Sequence, residues 1–470
     1  MEYTREDVYH SESRKNRSIA IVGGGLAGLT CAYRLATHGI MATVFEGNSR
    51  LGGRCWTERA MFKGSQFVER GGETIDSKHT SILSLIEELG LEVDDLIAAE
   101  KSYANPCYYY NGDNQYHQLQ QELQEVARRL NNEYRRAEFP VLYYQFTNRA
   151  WELDNMSITD WIEQNIEGGE QSTVGQLLCT AYSIEHGADC SEQSALNLVQ
   201  LFSDEQSTNS SVYGSADSRF RVSGGNDLLI KKLEEKLYNQ IKRNHKLVSI
   251  IRNTNETYTL SFQSKGTIEK VHVDYVVLAI PFSVLSNSVD FSHSGFRPLK
   301  VNAINELGMG CNSKIHMQFD QRIWQQCNYN GTSYSNLGYQ YTSDSTRAQS
   351  GLQGILVQIS GGSNLKSMAE KGVDEYTREV IMELNQVFPG LQLSYTGLKS
   401  VDLWFKDKWA GGSYSFRKIG QFTRFAGVEM EREGCCFFAG EHTSVRFQGY
   451  MNGAVESGER VALEVIESLY

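Results

Sequence analysis

The order of apolar and polar positions near the N-terminus predicts a strand, a turn, a helix and a second strand in close succession. The two strands are short apolar runs, and the helix between them repeats apolar side chains at the spacing of one helical face. The three predicted elements cover residues 18–22, 29–36 and 41–45. This succession predicts a βαβ unit, and therefore an α/β protein.

Further elements are predicted along the rest of the chain. Apolar or alternating runs predict strands at residues 246–250, 273–281, 309–319 and 437–439. A charged, glutamine-rich stretch over residues 114–136 predicts a helix. Ser157, with Asp160 three residues later, predicts the capped start of another helix. Residues 342–362 are rich in serine and glycine, which predicts loop and strand.

Glycines fill the turn between the first strand and the first helix. Gly23, Gly25 and Gly28 match the GxGxxG pattern. Its first glycine allows the tight turn, its second lets the backbone approach a pyrophosphate, and its third lets helix and strand pack closely. The free N–H groups at the start of the helix suit phosphates. Glu46, at the end of the second strand, is placed to accept a ribose 2′-hydroxyl, and its charge disfavours NADP. We therefore predict a dinucleotide site.

The residues after Glu46 distinguish FAD from NAD. Gly52 and Gly53 let the backbone come near a ligand, and Arg54 offers a fork for a phosphate. The run from Arg50 to Arg54 resembles the RxGGR segment of the flavin-containing amine oxidases, which include monoamine, polyamine and L-amino acid oxidases. The resemblance, closest in motifs to the flavin monoamine oxidases, implies a Rossmann-type FAD-binding domain with a mixed α+β substrate domain.

The resemblance continues along nearly the whole chain. Gly71 and Gly72 match the glycine pair that passes close to the flavin. Residues 221–226 match the turn that re-enters the FAD-binding domain, and Val248 matches the position whose backbone holds adenine. Residues 273–281 match a buried strand that ends in the family's usual proline.

The C-terminal motif, residues 437–458, is the most specific part of the resemblance. It implies that Glu441 contacts the ribityl chain. It also implies a helix that begins near Met451 and turns its positive end towards the flavin pyrimidine, which stabilises an anionic reduced flavin. The cofactor-binding residues predicted in this way are Gly23, Gly25, Leu26, Ala27, Gly28, Glu46, Gly52, Gly53, Arg54, Gly71, Gly72, Val248, Gly440, Glu441, Gly449 and Met451.

Three further residues carry the chemistry that the resemblance implies. Lys314 matches the lysine that binds a water at flavin N5. Tyr414 and Tyr450 match two walls of the aromatic cage of monoamine oxidases. Two such rings hold an amine by its lone pair or, when it is charged, by cation–π attraction.

The sequence departs from the family in two places. Ser413 stands where monoamine oxidases carry the cysteine that bonds the flavin, so we expect non-covalent FAD. Animal L-amino acid oxidases place an arginine soon after the flavin-side glycine pair, whereas residues 73–76 read Glu-Thr-Ile-Asp. Amino-acid substrates are therefore disfavoured, and whether Arg417 or Arg446 binds a substrate carboxylate is left open.

Length and composition complete the picture. The 470 residues suffice for two or three cores. A net charge of −12 disfavours nucleic acid as a partner. No run reaches the ~20 unbroken apolar residues of a membrane span, and the polar first 17 residues contain no signal core. Nine cysteines without a CxxC pair favour reduced thiols in a cytoplasmic protein. No metal is predicted; a trimmed leader and a homodimer are left open.

The predicted domains alternate along the chain. The resemblance implies a discontinuous FAD-binding domain and a substrate-binding domain. The first comprises residues 17–93, 219–302 and 402–470, and the second comprises residues 94–218 and 303–401.

The function that follows is FAD-dependent oxidation of an amine. The resemblance implies transfer of a hydride equivalent from the α-carbon to the flavin, hydrolysis of the imine to a carbonyl and ammonia, and reduction of O2 to H2O2. No acidic or histidine base is evident in the sequence, and none is required if the amine enters deprotonated. The alternatives are an L-amino acid oxidase, a non-catalytic flavoprotein scaffold, an NAD-dependent dehydrogenase and a desaturase acting on C–C bonds.

Overall fold

The computed structural model describes residues 17–100, 104–202 and 211–469. The polar N-terminal segment on which the expectation about a signal core rested lies outside these residues, apart from Arg17. A five-stranded, wholly parallel sheet carries the N-terminal βαβ unit. Its strands, in spatial order, are Cys436–Phe438, Tyr275–Leu278, Ile19–Val22, Thr43–Phe45 and Ile241–Lys242.

The βαβ unit forms as the apolar pattern predicts, with shifted ends. The first helix, Leu26–Thr37, begins three residues earlier than predicted because Gly25 is extended and serves as its N-cap. The predicted strand 273–281 is shorter in the structure, where it ends at Leu278. Pro281 has no N–H to give to a sheet, and it caps the helix Phe282–Ser288 instead.

A seven-stranded sheet faces the parallel sheet across the cavity described below. Its strands, in spatial order, are Tyr395–Leu403, Asn312–Phe319, Gly354–Gly361, Tyr341–Asp344, Tyr329–Ser335, Asn105–Tyr110 and Asp113–Asn114. The predicted strand 309–319 is divided here. Gly310 donates its N–H to the Tyr414 carbonyl, and Cys311 donates to the Gly187 carbonyl, both at 2.8 Å, so the chain leaves the sheet at these two residues.

Smaller sheets complete the β structure. An antiparallel sheet contains Lys246–Arg252, Tyr258–Ser264 and Thr267–Val273. Three two-stranded pairs join Thr57–Glu58 to Val68–Glu69, Val93–Asp95 to Phe220–Val222, and Gly308–Met309 to Ser415–Phe416.

Helices cover the sheets. The remaining α-helices are Thr80–Glu88, Tyr116–Ala137, Asn148–Asp154, Ile158–Asn165, Thr173–His186, Ala195–Gln200, Asp227–Lys236, Pro298–Glu306, Ile323–Gln326, Leu365–Lys371, Val373–Val387, Gln421–Phe425 and Met451–Leu469. The capping box predicted at Ser157 is confirmed, because the Ser157 hydroxyl accepts from the Asp160 N–H while the Asp160 carboxylate accepts from the Ser157 N–H. Within the described residues, no helix is long and apolar enough to cross a bilayer.

The two large sheets draw on different parts of the chain. All five strands of the parallel sheet come from the segments predicted to bind FAD. The strands of the seven-stranded sheet come from the segments predicted to bind substrate, except that Tyr395–Leu403 runs two residues past the predicted boundary at 401. The domain bounds themselves stay a prediction.

Candidate active site

One cavity of about 400 Å³ lies at the carboxyl ends of the parallel strands. This is the edge at which open α/β sheets bind ligands. The predicted site residues that line it are Gly23, Gly25, Leu26, Ala27, Glu46, Gly52, Gly53, Arg54, Gly71, Gly72, Lys314, Tyr414, Gly440, Glu441, Gly449, Tyr450 and Met451. The fold therefore brings residues from six separate stretches of the sequence to one cavity.

The glycine turn has the geometry of a phosphate cradle. Gly23 has φ +110°, and a Cβ there would lie 2.6 Å from the Ala279 carbonyl oxygen. A Cβ on Gly28 would lie 2.1 Å from the Gly23 carbonyl oxygen, so this glycine permits close packing and lies behind the cavity wall. Gly25 has open space on its Cβ side, and no side chain caps the helix that follows it. The first N–H groups of that helix thus remain available to an anion.

The Glu46 carboxylate lines the cavity beside the glycine turn. It is buried, and it accepts hydrogen bonds from the N–H groups of Gly24 and Asn48, each at 2.7 Å. Burial raises its pKa. Each carboxylate oxygen keeps a second lone pair, so a ribose hydroxyl can still donate to it. Together with the glycine cradle, this carboxylate fits the adenosine half of a dinucleotide.

Arg54 and Glu441 join three segments at the middle of the cavity. Arg54 Nη1 donates to Glu441 Oε1 at 2.9 Å and to the Ser413 carbonyl at 2.7 Å. The other carboxylate oxygen of Glu441 accepts from Ser415 Oγ at 2.7 Å and from the Gly449 N–H at 2.8 Å. Burial alone raises the pKa of Glu441, but Arg54, His442 and the Ser415 hydroxyl together outweigh burial, and the pKa is lowered. The guanidinium is therefore held by a charged partner and turns its free edge to the cavity.

The glycine pair Gly71–Gly72 lies against backbone and helix. A Cβ on Gly71 would lie 1.7 Å from the Arg54 carbonyl oxygen. A Cβ on Gly72 would lie 2.7 Å from Met451 Sδ, at the start of the helix Met451–Leu469. Only glycine fits position 71, whereas a Cβ at position 72 would require the Met451 side chain to move. The pair brings its backbone to the cavity beside the helix N-terminus.

Val248, the predicted adenine contact, does not line the cavity, and its neighbour Leu247 does. Val248 lies at the irregularity between Leu247 and Ser249, and its carbonyl accepts from the Asp290 N–H at 2.9 Å. The irregularity shifts the strand register by one residue, which the sequence pattern alone does not show.

Lys314 is held by an ion pair that the sequence did not reveal. Its Nζ donates to Glu73 Oε2 and to the Gly71 carbonyl, both at 2.8 Å, and to the Glu69 carbonyl at 3.2 Å. Burial raises the pKa of Glu73, but Lys314, together with His316 and Arg221, outweighs burial and holds the pKa at about 2. Glu73 therefore stays ionised, and it fixes the lysine beside the glycine pair Gly71–Gly72.

Both predicted cage tyrosines are tied to the last turn of one helix. The Tyr414 hydroxyl donates to the Ile184 carbonyl at 2.8 Å. The Tyr450 hydroxyl donates to Glu185 Oε1 at 2.5 Å. Ile184 and Glu185 are consecutive residues of the helix Thr173–His186, so this helix sets the position of both rings.

Two local features fix that helix. Ser172 caps its start by accepting a hydrogen bond from the Gly175 N–H at 3.1 Å. Gly187 ends it at φ +65°, where a Cβ would lie 2.2 Å from Asn312 Oδ1. Glycine is therefore required at position 187, where the helix ends. The last turn of the helix lies directly against the strand that carries Lys314.

The structure adds two acids to the cavity that sequence reasoning did not assign as a base. Burial raises the pKa of Glu185 to about 7, although the bond from Tyr450 opposes this. Burial likewise raises the pKa of Asp76 to about 6. Two carboxyl groups with raised pKa values thus line the cavity, although no acidic base was evident from the sequence alone. No local signal marks Glu185, because its role depends on Tyr450, which lies 265 residues away.

The arginines that were left open do not reach the cavity. Arg417 is buried against Glu429, with Nη2 at 2.9 Å from Oε1, and Arg446 is exposed over the Phe447 ring. A different arginine, Arg347, lines the cavity. Its Nη1 donates to Glu100 Oε1 at 2.8 Å, so its charge is already paired.

The sequence matches the family described as flavin containing amine oxidoreductase over residues 26–466. The chain belongs to this family. Membership confirms the resemblance read from the motifs, gives the chain a flavin cofactor, and sets aside the NAD-dependent dehydrogenase. The glycine cradle and the Glu46 carboxylate suit such a cofactor.

Relatives in this family share the whole length of the chain. It is 25% identical to amine oxidase (flavin-containing) B of Rattus norvegicus, over 96% of this chain and 86% of that protein. It is 24% identical to the putative L-amino-acid oxidase YobN of Bacillus subtilis, over 97% and 96%.

Solved structures share the fold. A cyclohexylamine oxidase from Brevibacterium oxydans superposes with a TM-score of 0.82 at 20% identity, covering 96% of this chain and 99% of that one. A putrescine oxidase variant superposes with a TM-score of 0.81, also at 20% identity and with the same coverage. The Rossmann-type α/β fold with a mixed substrate region is confirmed.

Proposed function

We propose that this flavoenzyme oxidises amines with an apolar tail, using non-covalent FAD and passing the electrons to O2. The observation that carries the proposal is the meeting of Tyr414 and Tyr450 with the glycine cradle in a single cavity. When bound, FAD accepts two electrons from the substrate and passes them to O2, which is reduced to H2O2. The rest of the chemistry falls to residues of the chain.

The cage residues hold the amino group. Two aromatic faces attract an amine through its lone pair or its charge. Because both hydroxyls are bonded to the helix Thr173–His186, the rings do not need to reorganise when substrate binds. The imine formed from the amine is hydrolysed by water to a carbonyl compound and ammonia.

FAD, rather than FMN, is the flavin that this cavity suits. The Glu46 carboxylate and the glycine turn both contribute to the cavity lining, and they are the groups that the adenosine half and the pyrophosphate of FAD would contact. FMN lacks that half, and these residues would then have no ligand to contact.

Non-covalent attachment is the first testable expectation. Ser413 has no thiol, and its Oγ donates to Asn312 Oδ1 at 2.5 Å. Purified protein should be yellow, and acid or heat denaturation should release FAD into the supernatant, where its absorbance and fluorescence identify it. Flavin that sediments with the precipitated chain would contradict the assignment.

The second expectation concerns the products. Supplying an arylalkylamine and O2 should yield aldehyde, ammonia and peroxide in equal amounts, because each turnover moves one electron pair. Coupled assays for the three products measure this ratio. Aldehyde without peroxide would show that O2 is not the acceptor, and no product with any amine in a panel would overturn the proposed activity.

An L-amino acid oxidase is the second candidate function. The observation that favours it is Arg347 on the cavity wall, since an arginine is the residue that pairs with a carboxylate. Glu100 already occupies this arginine, so a substrate carboxylate would have to displace a charged partner.

A further inference from the structure

Primary amine substrates are mostly protonated at physiological pH, whereas their oxidation requires the neutral amine. A primary alkylammonium group resembles the lysine side chain, with a pKa near 10.4, so about one molecule in a thousand is neutral at about pH 7.4. The electron pair on nitrogen that drives loss of the α-hydrogen is free only in the neutral amine. This inference rests on the proposed amine-oxidase function. Either a group in the cavity removes a proton from the bound ammonium, or the enzyme binds only the rare neutral form of the amine.

We propose that the Glu185 carboxylate is the base that removes this proton as the ammonium enters the cage formed by Tyr414 and Tyr450. Glu185 lines the cavity and is half-buried. Its Oε1 accepts from the Tyr450 hydroxyl at 2.5 Å, so the carboxylate touches one of the two rings that hold the amino group.

The second oxygen of Glu185 is available to substrate. Among the described residues, the hydrogen bond from Tyr450 is the one that reaches this carboxylate, and no lysine or arginine pairs with it. An ammonium at the cage supplies the missing partner. The attraction between the two charges draws the substrate to the base.

The environment of Glu185 suits proton transfer. Burial and the nearby Asp76 raise its pKa to about 7, although the bond from Tyr450 lowers it. At about pH 7.4 most of this acid is ionised and can accept a proton. The ordinary pKa of the ammonium is higher than that of Glu185, and desolvation between the two rings lowers the pKa of the bound ammonium towards that of its acceptor.

The other titratable groups that face Glu185 do not compete with it as proton acceptors. The pKa values of Tyr182, Tyr213, Tyr414 and Tyr450 are all raised by burial, so these groups stay neutral.

The two acids nearby have other partners. Asp76 accepts from the Ser218 N–H at 2.8 Å and lies 3.6 Å from His79, whose pKa burial lowers to about 4. Glu73 is paired with Lys314, with a pKa of about 2, and so cannot hold a proton at neutral pH.

The step is a simple proton transfer. An N–H bond of the ammonium breaks, an O–H bond forms on Glu185, and the nitrogen keeps the electron pair. No oxidant or reductant takes part. The protonated acid can still accept from Tyr450, and it returns its proton to water after the product leaves.

The first test is the pH dependence of kcat/KM in Glu185→Gln holoenzyme. The amide oxygen still accepts from Tyr450 but takes no proton. With a primary alkylamine we expect kcat/KM to fall by up to about 1000-fold at about pH 7.4 and to recover about tenfold per pH unit, as the neutral amine accumulates. In wild type the fall should occur only below about pH 7. A loss of equal size at every pH would overturn the proposal.

A substrate of low pKa provides the internal control. A fluorinated amine that is already neutral at neutral pH needs no base, so Glu185→Gln should oxidise it within about threefold of wild type. A large loss with this substrate would show that Glu185 only supports the cage or anchors a second cation, and would overturn the proposal.

Proton counting gives a readout that needs no turnover. Cumylamine has no α-hydrogen and binds without being oxidised. In calorimetry with buffers of different ionisation enthalpy, wild type at about pH 8.5 should release almost no proton, whereas Glu185→Gln should release about one proton to the buffer. Equal proton release in the two proteins would overturn the proposal.

A matched acid in the same cavity separates this role from general electrostatics. Asp76→Asn removes a like charge, so it should lower the pKa of Glu185 and move the acid limb of kcat/KM to lower pH, with proton release as in wild type.

If Glu185→Gln does not fold, Glu185→Asp keeps a carboxylate and should keep the low proton release. Wild type that reacts with no amine would refute the proposed function; reactive wild type with an unchanged Glu185→Gln pH profile would refute this inference alone.

Discussion

Arylalkylamines are expected to be oxidised with a kcat/KM about a hundredfold or more above that of the matched L-amino acids. An amino acid brings a carboxylate into the cavity as well as an amino group. Burying a carboxylate without a partner costs several kcal/mol, and about 3 kcal/mol already corresponds to about a hundredfold.

The charges of the cavity set the direction of this preference. Lys314 is paired with Glu73, and Arg347 is paired with Glu100, so these four charges cancel. Asp76 and Glu185 also line the cavity, and among the described residues no lysine or arginine forms an ion pair with either of them. When these acids are ionised, the part of the cavity that they line is negative. A negative cavity attracts an ammonium group and repels a carboxylate.

The measurement is kcat/KM for phenethylamine against L-phenylalanine and for tryptamine against L-tryptophan. A double variant, Arg347→Met with Glu100→Gln, provides the control because it removes both charges of one pair. It should change the amine-to-amino-acid ratio by less than about threefold if Arg347 does not bind substrate. Higher values for both amino acids, lost in this variant, would establish the L-amino acid oxidase instead.

Lys314→Met is expected to lower the free energy of unfolding by about 3–5 kcal/mol, because it removes the cationic partner of the Glu73 carboxylate and leaves it the Ser345 hydroxyl as a donor. Lys314→Met with Glu73→Gln removes both charges and should recover most of this loss. Urea unfolding of the holoenzymes measures both values. Equal stability of the single variant and wild type would show that the pair contributes nothing to the fold.

The pH dependence of this loss follows from the pKa of Glu73. It is held at about 2, below its ordinary value of 4.5, so the pair stabilises the fold above about pH 4.5 and the contribution is lost as the pH falls towards 2. The difference in unfolding free energy between wild type and Lys314→Met should therefore shrink on acidification. A difference that grows towards low pH would contradict the assignment.

The same pair of variants separates stability from redox chemistry. Lys314 is predicted to act beside the flavin, so both the single and the double variant should bind FAD but show slower flavin reduction, reoxidation, or both. If the double variant regained wild-type rates, the defect of the single variant would come from the unpaired Glu73. Stopped-flow traces of both half-reactions distinguish the two outcomes.

The parts of the site that the sequence predicts best are those where backbone geometry restricts residue type. Gly23 has a positive φ, and Gly28 and Gly71 would place a Cβ within 2.1 Å of a carbonyl oxygen. Such positions accept only glycine, so their spacing is visible in the sequence. The apolar runs around them predict the strands and helix for the same local reason.

The charged partners in the cavity could not be predicted from the sequence. Lys314 and Glu73 are 241 residues apart, and Tyr450 and Glu185 are 265 apart. A glutamate in a helix is usually solvated, and only the tertiary fold decides that Glu185 instead lines the cavity. The one-residue shift from Val248 to Leu247 has a similar origin, since a strand irregularity depends on its partner strand.

The central claim is that an amine gives its electrons to a flavin held by this chain. Anaerobic mixing of the purified holoenzyme with phenethylamine, followed by addition of O2, tests it most directly. The account predicts that the flavin absorbance is bleached by the amine and restored by O2, with one peroxide formed per flavin. A flavin spectrum that no amine changes, in protein whose flavin is reducible by dithionite, would contradict the account and favour a non-catalytic flavoprotein.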